Sequence, residues 1–69
     1  MYELLIKFGD NSISCDKRGS FQECSQCVGN VLSAVKSTKQ SVYVTIYNST
    51  RNLNWDTIPN NEWVLMASQ

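Results

Sequence analysis

This chain of 69 residues contains no histidine, one proline and three glycines, and its six basic residues balance its six acidic residues. The absence of histidine removes the side chain that most often serves as a general base or a metal ligand. A net charge of zero argues against a protein held to nucleic acid by bulk electrostatic attraction. The chain has no apolar run long enough for a membrane span and no signal-peptide pattern behind Met1. These absences predict one small cytoplasmic domain over residues 1–69.

Cysteine is scarce as well, with three residues at positions 15, 24 and 27. Because the number is odd, a closed disulfide framework cannot use all of them, and a chain without a secretion signal is expected to keep its thiols reduced. The spacing Cys24-x-x-Cys27 fits half of a zinc site or a redox pair. However, Cys24 falls about one turn into a predicted helix, on its apolar stripe, which favours packing in the core. Zinc and redox chemistry remain as alternatives, and no cofactor is predicted.

The apolar pattern predicts a hairpin at the start of the chain. Residues 2–8 alternate as in a strand, and Gly9-Asp10-Asn11-Ser12 is typical of a tight turn. With Asp10 and Asn11 as the loop, two apolar pairs share the inner face of the hairpin: Phe8 with Ile13, and Ile6 with Cys15.

A helix and further strands follow the hairpin. Ser20-Phe21-Gln22-Glu23 forms a capping-box pattern, and the sequence after it predicts a helix over about residues 21–37. Its apolar residues fall on one stripe: Phe21, Cys24, Val28, Val31, Leu32 and Val35. Residues 41–47 give the clearest strand, and two more are predicted around residues 52–56 and 62–66.

The predicted fold is therefore a two-layer α+β domain of element order β-β-α-β-β-β. An antiparallel sheet of four or five strands packs one face against the amphipathic helix. A single helix leaves the other face uncovered, and that face is predicted to be slightly acidic. It should carry Glu3, Leu5, Lys7, Ser12, Ser14, Asp16, Tyr43, Thr45, Tyr47, Asn52, Asn54 and Asp56.

Two tyrosines, Tyr43 and Tyr47, share the uncovered face of the clearest strand. Paired aromatic rings on a sheet can stabilise it by packing over Leu5. They can also anchor a protein interface, or stack on the bases of single-stranded nucleic acid. Trp55 and Trp63 are likewise either core residues or interface anchors.

Three basic residues outside the predicted strands and helix offer a different chemistry. Lys17 and Arg18 precede the helix, where an anion could bind, but no phosphate-binding glycine fingerprint accompanies them. Together with Arg51 and the two tyrosines, they define an alternative function, a small nucleic-acid-binding domain.

Catalysis has little support in this sequence. A cysteine nucleophile has no histidine beside it to act as a base, and the carboxylates are scattered singly. We therefore expect a protein that is not an enzyme and that works by binding.

The layout, from Tyr2–Phe8 through the capped helix after Ser20 to Ser41–Tyr47 and Glu62–Met66, resembles small stand-alone proteins of bacteriophages and mobile elements, including some anti-CRISPR proteins. The resemblance implies a non-enzymatic inhibitor that sterically blocks a host defence complex in the cytoplasm of the host cell. It is a resemblance of layout and transfers no functional residue.

The sequence thus predicts a protein-binding domain whose partner is a host protein or protein complex. The predicted contact residues are Tyr43, Tyr47, Lys7 and Asn54. Self-association through the open face or an edge strand is a further hypothesis, which would give a homodimer.

Overall fold

Alternating apolar residues form the centre of the sheet in the computed structural model, which describes residues 1–35 and 39–67. These residues comprise four strands and one α-helix: β1 (Tyr2–Phe8), β2 (Ile13–Gly19), α1 (Phe21–Val35), β3 (Val42–Asn48) and β4 (Val64–Ala67). The strands pair antiparallel in the order β2-β1-β3-β4. The predicted α+β class is confirmed, and β2 and β4 are the two edges.

The helix begins at the predicted capping box. Ser20 Oγ accepts a hydrogen bond from the Glu23 amide at 3.1 Å, and Glu23 Oε1 accepts one from the Ser20 amide at 2.9 Å. The apolar stripe of α1 then packs on the inner face of the sheet, where seven buried residues form the inner core: Leu4, Ile6, Cys24, Val31, Val35, Val42 and Val44.

Phe21 departs from the predicted stripe. It is 55% exposed and packs edge-on against Tyr2, with ring centroids 5.5 Å apart. As the first helical residue, it lies where the stripe leaves the sheet. The predicted helix end at residue 37 falls outside the described residues.

The hairpin is present, but its predicted register is wrong by one residue near the turn. The loop has three residues, Gly9 to Asn11, and Asn11 adopts a left-handed conformation with φ of 68°. The Asp10 carboxylate fixes this turn by accepting from the backbone and hydroxyl of Ser12, at 3.0 and 2.6 Å. The additional loop residue changes the pairing: Lys7 pairs with Ile13, and Leu5 with Cys15. Ile13 and Cys15 therefore lie on the outer face.

A bulge in β2 then restores the register that the sequence predicts. Leu5 pairs with Cys15 and Leu4 with Lys17, which leaves Asp16 as an extra residue. The predicted placement of Ser14 and Asp16 on the outer face is also wrong. Both line a depression beside α1, because the slipped register turns this part of β2 over.

The strand predicted around residues 52–56 is absent from the structure. Residues 49–63 form three short 3-10 turns, Ser49–Arg51, Trp55–Thr57 and Asn60–Glu62. The Asn48 side chain accepts from the Thr50 amide at 3.1 Å, and Asn52 is left-handed with φ of 55°. Such local bonds from asparagine compete with strand pairing. The last predicted strand is present as β4, paired with β3.

The outer face of the sheet is not open, contrary to the prediction. The segment of residues 49–63, called here the outer segment, packs across it. Leu5 is 0% exposed, and with Tyr47, Ile58 and Trp63 it forms a second cluster, the outer core. The sheet is thus covered by the helix on one face and by the outer segment on the other.

Candidate functional site

The outer segment is anchored to the sheet through Tyr47. The Tyr47 hydroxyl accepts a hydrogen bond from the Leu53 amide at 2.6 Å and donates one to the Leu53 carbonyl at 3.3 Å. The Arg51 guanidinium lies 5.7 Å from the centre of the Tyr47 ring and pairs with the Glu62 carboxylate. These contacts hold the outer segment against β3 at the end of the sheet where the chain begins.

A groove remains at the opposite end, beside the β1–β2 turn. Two depressions of about 580 and 400 Å³ share Asn11 as a lining residue, and a third of about 270 Å³ overlaps both. We call this surface the hairpin-end groove and define it by the following residues: Lys7, Asn11, Tyr43, Asn54, Trp55, Asp56, Asn60 and Trp63. Three aromatic side chains line it, together with one lysine, three asparagines and one aspartate.

Lys7 lies between two of these rings. Its Nζ is 4.7 Å from the centre of the Trp63 ring and 5.5 Å from that of the Tyr43 ring. Each ring attracts the ammonium through its negative face. This arrangement fixes the position of the charge while leaving its hydrogen-bond donors available.

The other basic residues singled out in the sequence already have carboxylate partners. Lys17 lies 3.9 Å from Glu23, Arg18 lies 3.0 Å from Glu3, and Arg51 pairs with Glu62. In the described part of the chain, Lys7 has no such ion pair. Asp56 lines the central depression with Lys7 but forms no salt bridge with it.

Three of the four predicted contact residues line the groove. Lys7 and Tyr43 lie together at one end, and the exposed Asn54 lies at the other. Tyr47 is different, because it is 3% exposed and its ring belongs to the outer core. The expectation that both tyrosine rings are displayed on an open face is wrong for Tyr47.

The two tryptophans complete the groove, although the sequence left their roles open. Trp63 is 7% exposed, so it belongs to the outer core and also forms the wall beside Lys7. Trp55 is half-buried and lines the centre of the groove. Nothing in the local pattern places them together, since they meet only when the outer segment folds back over the sheet.

The helix N-terminus is occupied by the chain itself. Glu23 places its carboxylate against Gly19, where an added Cβ would lie 2.7 Å from Oε1. The same carboxylate accepts from the Ser20 amide and faces Lys17. The position where an external anion could bind therefore already holds an internal one.

The cysteines lie in different environments. Cys24 is fully buried in the inner core, where burial raises the pKa of its thiol above the ordinary value. Cys15 is half-buried and packs on the outer core, and Cys27 packs at the margin of the inner core. All three are free thiols. Within residues 1–35 and 39–67, no three metal-ligating side chains converge.

Comparison of this chain with known proteins gives no match. No family model matches the chain, no curated protein matches its sequence, and no solved structure matches its fold. Over the described ranges, no helix is long and apolar enough to cross a membrane.

Proposed function

We propose that this protein is a non-enzymatic binding domain for another protein and that the hairpin-end groove is its contact surface. The supporting observation is the group of Lys7, Tyr43 and Trp63, in which a lysine that has no carboxylate partner among the described residues is held between two aromatic rings. Tryptophan and tyrosine are enriched among the few residues that dominate the binding energy of protein interfaces. The asparagines around them can donate and accept hydrogen bonds to a peptide backbone.

The charge of Lys7 indicates the chemistry of the partner. A carboxylate from an acidic side chain would gain a charge-assisted hydrogen bond there. The aromatic walls shield this pair from water on two sides, which strengthens the attraction compared with a fully exposed pair. The proposed partner therefore presents an acidic residue flanked by apolar or aromatic ones.

The biological role in this proposal is based on the resemblance of layout to small phage proteins described above. In that form the protein is encoded by a phage or mobile element, acts in the host cytoplasm and sterically blocks a host defence complex. It needs no catalytic group, only a surface that a host protein accepts.

The test is affinity capture from a bacterial lysate with matched variants. Trp55→Ala and Lys7→Met remove an aromatic wall and the charge, and each should reduce retention of a specific protein about tenfold or more. Phe21→Ala is the control, because Phe21 is an exposed aromatic residue at the start of α1. Far-UV circular dichroism would verify that each variant folds.

The proposal fails if the wild type retains no specific protein, or if the groove variants retain it as well as Phe21→Ala does. Steeply salt-dependent binding of single-stranded nucleic acid would instead support the alternative function of Lys17, Arg18 and Arg51.

A further inference from the structure

The two edges of the sheet differ in charge. The β2 edge carries Asp16, Lys17 and Arg18 in succession. Charges on an edge strand discourage pairing with another chain. The β4 edge has the sequence Val-Leu-Met-Ala and carries no charge.

The apolar side chains of β4 are displayed on both faces of the sheet. Val64 is 58% exposed and pairs with Val44, whose side chain belongs to the inner core. Leu65 is 51% exposed and pairs with Tyr43, which packs on the outer core. In the described residues, no strand pairs with the outer side of β4.

We propose that β4 pairs antiparallel with β4 of a second copy of this chain. In an antiparallel pair, residues that lie directly opposite each other place their side chains on the same face of the sheet. The two copies of β4 must therefore pair in a register in which one residue lies opposite its own copy, next to the twofold axis. An axis at Leu65 places Leu65 of one copy against Leu65 of the other, and Val64 against Met66. The two four-stranded sheets then form one continuous sheet with both helices on the same face.

The neutral charge and the apolar sequence of β4 favour a second copy as the occupant. The chain has a net charge of zero, so two copies approach without long-range repulsion. The strand itself is neutral, so antiparallel self-pairing places no like charges opposite each other. Apolar residues face apolar residues on both sides of the sheet, which is the self-complementarity that a twofold interface requires. This inference does not depend on the proposed function of the groove.

The interface is small, because β4 has four residues and Met66 forms a bulge opposite β3. We therefore expect a dimer that dissociates on dilution. In sedimentation equilibrium from micromolar to millimolar protein, the mass should rise from 7.8 kDa towards twice that value.

Variants of the β4 edge test the geometry. Leu65→Lys should raise the dissociation constant about tenfold or more, because the two lysines would face each other across the axis. Leu53→Lys is the matched control, because Leu53 is also an exposed leucine but lies outside β4, and it should leave dimerisation unchanged. Amide hydrogen exchange should slow with concentration in β4 but not in β2.

The proposal is overturned if the wild type remains a monomer at millimolar concentration. It is also overturned if Leu65→Lys dimerises as well as Leu53→Lys, or if the protection that depends on concentration appears in β2 rather than β4.

Discussion

The two faces of the sheet are covered in different ways. On the inner face, a 15-residue helix buries a periodic stripe of apolar side chains. On the outer face, the irregular outer segment buries Leu5 with two anchors of its own, Ile58 and Trp63. Both Leu4 on the inner face and Leu5 on the outer face are 0% exposed. A short segment with few anchors can therefore exclude water as completely as a helix does.

The helix and the outer segment are also held to the sheet by different interactions. The helix is held by its continuous stripe and begins with a reciprocal cap between Ser20 and Glu23. The outer segment has no periodic stripe, so it depends on single contacts, among them the Tyr47 hydroxyl and the pair of Arg51 with Glu62. The loss of one contact should thus matter more on the outer face.

The largest effect is expected from truncating the leucines at the centre of each face. Leu4→Ala and Leu5→Ala should each lower the free energy of unfolding by about 2–5 kcal/mol, because each leaves a cavity in a fully buried site. Urea denaturation of both variants would measure this. A loss below about 1 kcal/mol for Leu5→Ala alone would show that the outer segment is a loose cover and not part of the core.

A smaller effect is expected from removing the hydroxyl that anchors the outer segment. Tyr47→Phe should lower the free energy of unfolding by about 1–2 kcal/mol, since the part-buried Leu53 amide loses its acceptor.

Tyr43→Phe is the matched control for this change, because the Tyr43 hydroxyl forms no hydrogen bond with the described residues. Its stability in urea should stay close to that of the wild type. Equal losses in the two variants would contradict the anchoring role of Tyr47.

Removing the helix cap is the corresponding change on the inner face. Ser20→Ala should cost about 1 kcal/mol, because the Glu23 amide loses the oxygen that caps it. Ser25→Ala, at an exposed position within α1, should be neutral or slightly stabilising. Thermal unfolding of both variants would distinguish the cap from general helix propensity.

The smallest effect is expected from lowering the pH, and it compares Glu23 of the helix with Glu62 of the outer segment. Hydrogen bonds from Ser20 lower the pKa of Glu23, and the hydrogen bond from Arg51 lowers the pKa of Glu62. A lowered pKa in the folded state gives stability that is present above the unfolded pKa, near 4.5, and lost as the pH falls through the folded pKa.

Glu23→Gln and Glu62→Gln should therefore each show a shallower loss of stability between about pH 5 and about pH 3 than the wild type does. Denaturation at a series of pH values would measure the slopes. An unchanged slope in either variant would mean that the hydrogen bonds to its carboxylate, from Ser20 or from Arg51, do not form in solution.

Local patterns predicted much of the architecture and part of the site. The alternation in β1 and β3, the capping box and the apolar stripe all act within a few residues, and the structure has each of them. Lys7 was expected to lie near the tyrosines, and it pairs directly with Tyr43 because β1 and β3 are neighbours in the sheet. The hairpin register was missed because it depends on one backbone angle at Asn11.

The sequence alone determined the elements whose signals are local: the central strands, the capped helix and the α+β class. Only the tertiary structure decided that the outer segment covers the second face, that Tyr47 is buried, and that Trp55 and Trp63 meet Lys7 in one groove. The physical reason is that the outer segment has no hydrophobic period. Its conformation is set by contacts with Leu5 and Tyr47, which lie on the sheet and outside the segment itself.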